Sequence, residues 1–383
     1  MDMEQETPST SVPPVTPVTP VAPVAASAPS AAVDGTPPAL RAEPTTEEIP
    51  KARSPRAEAP EAAGSGAEVA AAQQTPRPVP PTLGVPAHSG RRPPSYPPVP
   101  QGRPRVSDDP TAAVLPDIVL DGAAYPPLTV RAASVRGDSH RYHGEPRQDS
   151  LGVSLLGEPG PGELLMLAVA DGVGSASLSH VGSSSVCRWA AWAFAHHAQE
   201  LYEALAAGAA ARFAELATFV VERLADKLAR NAKSRSHDPA SHATTLRVLL
   251  VPRDPSIRTR GLLTVGDGGI ALLRDGRWDL DPGGTSEASG AGDGVIDTRT
   301  AALPLSRTAE TRLLTTRPGD VLVLSTDGLS TPLAGESEMR EFFGSAWGGG
   351  SVPEPADFLW QFQYRVKSYD DDRTGVVLWE ALP

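Results

Sequence analysis

The sequence predicts an α+β domain with antiparallel sheets, preceded by a disordered N-terminal tail. Strand patterns come first, a helical region follows and strands return, an order that favours α+β over a doubly wound parallel sheet. The segment "LLMLAVA" (164–170) is apolar throughout, as expected of a fully buried strand. Residues 181 to about 233 instead carry Ala, Leu, Phe and Trp at helical spacing, and a break near Gly208 divides them into two predicted helices.

The tail is defined by its composition. Of the 41 prolines, 24 precede residue 106, and Tyr96 is the only aromatic residue in that stretch. Such a segment cannot bury enough apolar surface to offset the entropy of ordering it. We therefore predict a disordered, partly polyproline-II tail over residues 1–108 and one domain over residues 109–383.

The remaining elements of the domain follow from local patterns. Strands are predicted in "LTVRAASVRG", "SLGVSLLG", "ATTLRVLLVP", a hairpin in "TRGLLTVGDGGIALLRDGRW" and "TRLLTTRPGDVLVLSTDGL", with a Gly-rich loop over residues 281–294. Helices are predicted through "EMREFFGSAW" and "PADFLWQFQYRVKS", and the acidic turn "YDDDR" leads into a final strand. No internal repeat is present.

Charge and targeting signals narrow the class of protein. The predicted domain has 25 basic and 35 acidic residues, a net charge of −10, which argues against nucleic acid as a partner. The start "MDMEQETPST" lacks a signal-peptide pattern, and no apolar run is long enough for a membrane span. The single cysteine, Cys187, excludes an intramolecular disulfide and a thiolate zinc site, and its apolar context is typical of a buried residue. We therefore expect a cytoplasmic protein.

Aspartates recur where apolar strands begin or end. They are Asp149 in "RQDSLGVSLL", Asp171 in "LAVADGVG", Asp327 in "LVLSTDGL" and residues 370–372 in "YDDDRTGVVLW". A single Asp-Gly pair is common in ordinary turns. Four such sites without a matching set of Lys or Arg would be costly unless a cation binds them, and Mg²⁺ or Mn²⁺ takes oxygen ligands. The pattern therefore predicts a divalent-metal site, and a few carboxylates with waters can hold two ions.

These motifs, in this order, resemble the metal-dependent protein phosphatases of type 2C in their bacterial form, over about residues 131–380. The matching elements are Gln148-Asp149, Asp171-Gly172-Val173-Gly174, Gly266-Asp267, Thr326-Asp327-Gly328 and Asp371-Asp372-Arg373-Thr374. The resemblance implies a four-layer α/β/β/α sandwich with two antiparallel sheets. It also implies hydrolysis of phosphoserine and phosphothreonine in proteins, with Mn²⁺ or Mg²⁺ as the cofactor.

The resemblance assigns roles to single residues. Asp171 would bridge two ions, with the carbonyl of Gly172 as a further ligand. Asp327 and Asp371 would complete one ion, and Asp149 would act mainly through metal-bound water. A water activated by the two ions would attack the phosphorus, so no protein nucleophile is needed.

Two departures concern the catalytic groups. Eukaryotic members of the family have a His after the Asp-Gly pair, where this chain has Val173, so His140 is our candidate proton donor and an exposed loop histidine is its alternative. The phosphate-gripping Arg of the family falls on Gly144. Arg141 and Arg147 are the candidates to replace it. Arg141 is preferred of the two, and a simple surface role is its alternative.

Other departures concern the ion sites. Asp372 stands where the family usually has Asn, so it either binds a metal or alters the charge of the site. Asp238 is a candidate ligand of a third ion, while Asp267 is predicted to be a structural turn residue. His237 and His242 suggest zinc only weakly, because lone loop histidines are usually solvated.

The predicted function is therefore metal-dependent hydrolysis of phosphoproteins by a monomer that works opposite a Ser/Thr protein kinase. The altered positions at Val173 and Gly144 leave a second hypothesis, a weakly active or inactive regulatory module that binds a kinase or a phosphorylated partner. A third hypothesis is an adaptor role for the proline-rich tail, against the simpler alternative of a solvated linker.

Overall fold

The computed structural model describes residues 88–90, 92–97, 102–105, 116–284, 301–366 and 368–381. Most of the predicted tail, residues 1–87, therefore lies outside the described residues. So does residue range 285–300, which includes most of the predicted Gly-rich loop.

The described residues form the following strands: β1 (Ile118–Tyr125), β2 (Leu128–Val135), β3 (Ser150–Leu156), β4 (Leu164–Ala170), β5 (Leu246–Pro252), β6 (Thr259–Val265), β7 (Gly269–Arg274), β8 (Arg277–Asp279), β9 (Glu310–Thr315), β10 (Val321–Ser325) and β11 (Arg373–Glu380). The α-helices are α1 (Asp138–His143), α2 (Ser179–Ala195), α3 (Ala198–Ala206), α4 (Ala210–Lys233), α5 (Asp327–Gly335), α6 (Ser337–Trp347) and α7 (Pro355–Phe362). A 3₁₀ turn covers Pro239–His242.

The strands form two antiparallel sheets. Sheet 1 has the order β1-β2-β11-β10-β7-β8, and sheet 2 has the order β3-β4-β5-β6-β9. Helices α2, α3 and α4 cover the outer face of sheet 2, and α5, α6 and α7 cover that of sheet 1. A third apolar cluster lies between the sheets. The predicted α+β class and its four-layer sandwich are therefore confirmed.

Strand β4 shows how the sequence fills these layers. Side chains of a strand point alternately to opposite faces, so Met166 and Ala168 pack under the helices while Leu165 and Leu167 pack between the sheets. All seven residues of β4 are buried. The continuous apolar run of this strand is thus explained by burial on both faces.

The register of the strands brings the predicted site residues to one edge of the sandwich. In sheet 2, Ser150 of β3 is paired with Ala170 of β4, so Asp149 and Asp171 are placed side by side. In sheet 1, Ser325 of β10 is paired with Gly375 of β11, which brings the start of α5 next to residues 371–372. Antiparallel pairing therefore gathers residues that are far apart in the sequence.

Several elements differ from the sequence prediction. Strand β1 precedes the first predicted strand, and α1 and α5 occupy segments that we predicted as loop or strand end. The predicted helical region contains three helices, because the chain also breaks at His196-His197, between α2 and α3. The break at Gly208 lies where predicted, and its φ of 63° suits a residue without a side chain.

Part of the segment before residue 108 contacts the domain. Ser89 is buried and its amide donates to the carbonyl of Arg365 at 2.9 Å. Gly102 donates to the carbonyl of Arg141 at 2.9 Å, and Tyr96 packs against Tyr142. These contacts lie on the N-terminal side of the predicted boundary at residue 108, which stays a prediction.

Among the helices of the described residues, none is both long and apolar enough to cross a membrane.

Candidate metal centre

The backbone of Asp171 is fixed where β4 ends. Its carbonyl accepts hydrogen bonds from the Thr244 hydroxyl and the Thr245 amide, both at 2.8 Å, and its amide donates to the Thr245 hydroxyl at 3.0 Å. The next residue must be glycine, because a Cβ on Gly172 would lie 2.8 Å from the Cβ of Ser179. The strand therefore ends in a rigid corner, and this corner presents the Asp171 side chain at a defined position.

Asp149 lies beside this corner and is almost completely buried, with 1% of its surface exposed. The hydroxyl of Thr326 donates to its Oδ2 at 2.7 Å. Burial and the negative charge of Asp372 raise the pKa of Asp149, and hydrogen bonds from Thr326 and Thr374 oppose this rise. The carboxylate is thus held in a place where its charge is poorly stabilised.

Asp171 and Asp327 are hydrogen-bonded to each other, and burial raises the pKa of both. Burial raises the pKa of Asp171 to about 12, and the charges of Asp149 and Asp327 add to the effect. Asp171 donates a hydrogen bond to Asp327, whose own pKa is raised by burial and, despite that bond, by the charges of Asp371 and Asp267. Four carboxylates from both sheets therefore repel one another at one edge of the sandwich.

This arrangement fits one or more hard cations. Among the described residues, no Lys or Arg forms an ion pair with Asp149, Asp171 or Asp327. Oδ1 of Asp327 is buried and has no hydrogen-bond partner in the described part of the chain. Buried carboxylates in this condition need a cation, and carboxylate oxygens are the ligands that Mg²⁺ and Mn²⁺ prefer.

His140 lies at the edge of the same cluster. Its Nε2 is 3.2 Å from Asp371 Oδ1, and its Nδ1 is 3.2 Å from the Pro146 carbonyl and 3.6 Å from Asp372 Oδ1. Burial lowers its pKa, but the hydrogen bond to Asp371 and the charges of Asp372 and Asp371 outweigh burial and raise the pKa to about 9. Because both ring nitrogens face oxygen acceptors, the doubly protonated imidazolium fits this position.

The same contact affects Asp371. Burial disfavours its ionised form, yet the hydrogen bond and the charge of His140 outweigh burial and lower the pKa of Asp371. His140, Asp371 and Asp372 can also place one ligand atom each within 4.8 Å of one another, a second arrangement that would suit a metal ion.

Asp372 connects the loops around the cluster. Its side chain is 2% exposed, Oδ1 accepts from the Gly137 amide at 2.7 Å, and Oδ2 accepts from the amides of Gln148 and Asp149. Burial raises its pKa, and the charge of His140 and the amide hydrogen bonds oppose this. Both oxygens of Asp372 are thus engaged by backbone amides, while its role as a metal ligand stays a prediction.

The two candidate phosphate-gripping arginines have different environments. Arg147 is buried, and its guanidinium donates to the carbonyls of Pro116 and Asp149 and to the hydroxyl of Ser134. Arg141 donates from Nη1 to Asp138 at 3.2 Å, and its Nε has no partner among the described residues. Arg147 therefore stabilises its loop from the protein interior. Arg141 differs, because its Nε is a donor without a partner among the described residues.

Other residues singled out in the sequence lie elsewhere. Asp238 precedes the 3₁₀ turn and accepts from the Ala240 amide at 3.0 Å, a local capping contact. His237 and His242 approach each other at 3.3 Å. Asp267, predicted to be only a turn residue, is close enough to Asp327 for its charge to raise the pKa of that carboxyl.

Sequence reasoning missed Arg136. It lies directly after β2, is 1% exposed and pairs with Asp117 at 3.3 Å. Its Nη2 donates to the carbonyls of Gly102 and His140 at 3.1 and 2.9 Å. The signal was a charged residue at a strand end, the criterion that we applied to aspartates alone.

The chain was compared with known proteins. The family model for protein phosphatase 2C matches residues 136–357, more than half of the 383 residues. A comparison with curated proteins found no significant match.

Among solved structures, similar chains include the S. agalactiae serine/threonine phosphatase, with 14% identity, a TM-score of 0.46 and coverage of 66% of this chain and 99% of that one. The catalytic domain of the serine threonine protein phosphatase PstP, in complex with two manganese ions, has 21% identity, a TM-score of 0.41 and coverage of 68% and 98%. PppA, a regulatory component of T6SS in Pseudomonas aeruginosa, has 18% identity, a TM-score of 0.42 and coverage of 68% and 99%.

The matched range 136–357 contains Asp149, Asp171 and Asp327, three of the carboxylates that converge at the edge of the sandwich. This chain belongs to the protein phosphatase 2C family.

Proposed function

We propose that this protein hydrolyses phosphoserine and phosphothreonine monoesters in other proteins, with two Mn²⁺ or Mg²⁺ ions as cofactors. The observation that carries the proposal is a group of three carboxylates, Asp149, Asp171 and Asp327, whose pKa values are raised by burial and which form no ion pair with a described Lys or Arg. Burying such a group lowers the stability of a folded protein, so it is retained where it has a function. Carboxyl groups with shifted pKa values are concentrated at functional sites.

In this proposal Asp171 would hold both ions, and the Gly172 carbonyl would be a further ligand. Asp327 and Asp371 would complete one of the ions, and Asp149 would act mainly through water. Asp372 contributes through charge or as a further ligand, and Asp238 is the candidate for a third ion. The ions would lower the pKa of a water and neutralise charge on the phosphoryl oxygens.

His140 is proposed to donate the proton that the leaving serine or threonine oxygen needs. Its Nε2 holds a proton against Asp371 Oδ1 at 3.2 Å, at the edge of the cluster where a leaving group would emerge. An imidazolium is a suitable general acid, and a pKa of about 9 keeps His140 protonated at neutral pH. Asp371 orients the ring and keeps it protonated.

Arg141 is proposed to bind the phosphoryl oxygens. Its Nε is a buried donor without a partner, and Asp138 holds its Nη1 in place. A guanidinium in this condition matches the oxygens of a phosphate better than a lysine would. Arg141→Lys should therefore raise KM more than it lowers kcat.

A second candidate function is a regulatory module that binds a kinase or a phosphorylated partner without turnover. Two positions support this alternative: Val173, where eukaryotic members of the family have a His, and Gly144, where the family has its phosphate-gripping Arg. A kinase that phosphorylates the same substrates is the partner that either function requires. The monomeric state and the cytoplasmic location stay predictions from the sequence.

The test is hydrolysis of p-nitrophenyl phosphate and of phosphoserine peptides by the full chain. We expect activity with Mn²⁺, none with a chelator and none in Asp171→Asn. Asp121→Asn is the matched control, because Asp121 is exposed on the edge strand β1. Phosphopeptide binding without turnover at saturating Mn²⁺ would favour the regulatory module instead.

A further inference from the structure

Helix α1 carries both His140 and Arg141, but its own packing does not explain its position. It has six residues, and none of them is buried. A helix this short is not stable by itself in water, so contacts with neighbouring segments must hold it. The loop before β11 holds its start, because the Asp370 carbonyl accepts from the Ser139 amide at 3.0 Å and from the Ser139 hydroxyl at 2.9 Å.

The end of α1 is held by the segment that precedes β1. We define the N-terminal strap as the described residues of this segment: 88–90, 92–97 and 102–105. The last carbonyls of a helix lack partners within the helix, and the carbonyl of Arg141 accepts from the Gly102 amide at 2.9 Å. The ring of Tyr96 packs against those of Tyr142 and His143, with centroids 5.1 and 5.7 Å apart. The strap therefore contacts both the backbone and the side chains of the last turn of α1.

Arg136 connects the strap to the same turn from inside the protein. Its side chain is fully buried, and its Nη2 donates to the Gly102 carbonyl at 3.1 Å and to the His140 carbonyl at 2.9 Å. Its Nη1 pairs with Asp117 at 3.3 Å, and Asp117 also pairs with Arg103 of the strap at 2.8 Å. One guanidinium thus joins the strap to the backbone of the proposed proton donor.

The strap and α1 meet where neither chain has a side chain. A Cβ on Gly102 would lie 3.0 Å from the Cα of Gly144 and 3.3 Å from its nitrogen, which is tighter than most real contacts. Gly144 ends α1 with a φ of 75°, a conformation that suits glycine. The strap can therefore lie this close to α1 only while residue 102 has no side chain.

The strap also contacts the residues that orient the Arg141 side chain. Arg365 donates to the Tyr96 carbonyl and, at 2.8 Å, to one carboxylate oxygen of Asp138. The other oxygen of Asp138 accepts from Arg141 Nη1 at 3.2 Å. The far end of the strap is held apart from α1, since Ser89 is 2% exposed and its amide donates to the Arg365 carbonyl at 2.9 Å. The strap is thus fixed to the domain at one end and to α1 at the other.

We propose that the N-terminal strap is a positioning element of the phosphatase site, which holds α1 so that His140 and Arg141 face the phosphoryl group. This inference rests on the proposed function, in which those two residues donate the proton and bind the phosphoryl oxygens. The strap acts through α1, and Gly102 is the positioning residue on which the contact depends. A displacement of about 1 Å in a catalytic group can lower the rate by about 10²-fold.

The test uses Gly102→Val in the full chain with Mn²⁺. This variant keeps the amide that donates to Arg141 but places a branched side chain against the backbone of Gly144. We expect it to lower kcat for a phosphoserine peptide by about ten- to hundredfold, and kcat for p-nitrophenyl phosphate, whose leaving group needs no proton, by less. Gly349→Val is the matched control and should keep the wild-type values, because a Cβ on Gly349 has no neighbouring atom within 4 Å.

Peptide binding separates positioning from a loss of stability. A labelled peptide with a methylene phosphonate in place of the phosphate ester is not hydrolysed, and fluorescence anisotropy gives its affinity. Gly102→Val should weaken binding about three- to tenfold in the wild-type background but less than about twofold in an Arg141→Gln background, since its effect passes through Arg141. Tyr96→Ala removes a ring contact without adding bulk and should give the same pattern with smaller changes.

Equal weakening in the two backgrounds, or wild-type kcat and affinity in both strap variants, would overturn the inference. So would strap variants that melt well below the wild type and lose kcat equally for both substrates, since the strap would then only stabilise the domain. A wild type that binds the phosphonate peptide without hydrolysing the phosphoserine peptide would remove the proposed function, while the binding ratios would still decide whether the strap positions Arg141. Absence of peptide binding by the wild type would overturn the inference.

Discussion

Without metal, the protein should become less stable as the pH rises from 6 to 8. In the folded chain, burial and the neighbouring Asp149 and Asp327 raise the pKa of Asp171 from 3.8 to about 12. The folded state therefore keeps a proton that the unfolded state releases, and each rise in pH favours unfolding. His140 acts in the same direction, because its pKa rises from 6.5 to about 9 on folding.

The magnitude follows from one retained proton. A difference of one pH unit corresponds to about 1.36 kcal/mol, so two units remove about 2.7 kcal/mol of unfolding free energy. For a domain of this size, about 1 kcal/mol changes Tm by roughly 2–4 °C, which gives a fall of about 5–11 °C between pH 6 and pH 8. Above pH 6.5, the pKa of His140 in the unfolded chain, His140 adds to this loss of unfolding free energy.

The assay is thermal unfolding in a chelator at pH 6, 7 and 8, repeated with saturating Mn²⁺. In Asp171→Asn the fall in Tm should become smaller, and His140 and the raised pKa of Asp149 should account for the remainder. Asp121→Asn should behave like the wild type. Mn²⁺ at a hundredfold excess over its Kd should add about 2.7 kcal/mol for each site. It should also remove the fall with pH, because metal and protons compete for the same oxygens.

A Tm in the chelator that stays constant or rises from pH 6 to pH 8 would refute this reasoning. An equal fall in the wild type and in Asp171→Asn would show that the proton is held elsewhere.

Three further predictions concern single residues. His140→Gln should lower kcat for phosphoserine peptides by about 10²-fold but much less for p-nitrophenyl phosphate, whose leaving group needs no proton; equal losses would argue against a general acid. Gly328→Ala should lower the unfolding free energy by at least about 1–3 kcal/mol in urea, because a Cβ would overlap a backbone carbonyl, whereas Gly349→Ala has open space and should change it little. Glu380→Gln should cost about 3–5 kcal/mol in the same assay, since Glu380 is fully buried against Arg260 at 2.9 Å; a loss below 1 kcal/mol would mean that water reaches the pair.

Much of the fold was predictable because strands buried on both faces leave a strong pattern. The apolar run of β4 and the aspartates that flank β3 and β4 were visible in the sequence, and the pairing of Ser150 with Ala170 then places Asp149 beside Asp171. The short helices were not predictable in the same way. Helix α1 has six residues, none of them buried, and α5 contains Pro332, which is unusual inside a helix.

The site could be predicted only where the type of a residue is enough to indicate its chemical role. Aspartates at strand ends indicate metal ligands, but nothing local to Asp372 shows that its oxygens accept from the amides of Gly137, Gln148 and Asp149. The contact between His140 and Asp371 joins residues 231 positions apart, and it depends on the pairing of β2 with β11 in sheet 1 rather than on sequence spacing. Arg136 was missed for a related reason, since its partners come from three separate segments.

The two-sheet origin of the carboxylate cluster has a consequence for how the protein can be divided. Asp149 and Asp171 are carried by sheet 2, whereas Asp327 and Asp371 are carried by sheet 1. Neither sheet carries all four carboxylates, so ion binding should show whether the two sheets are packed against each other. The sheets alternate along the sequence, so a single cut between Asp171 and Asp327 would divide the ligands but not the sheets. Two such fragments should bind the ions only after they reassemble.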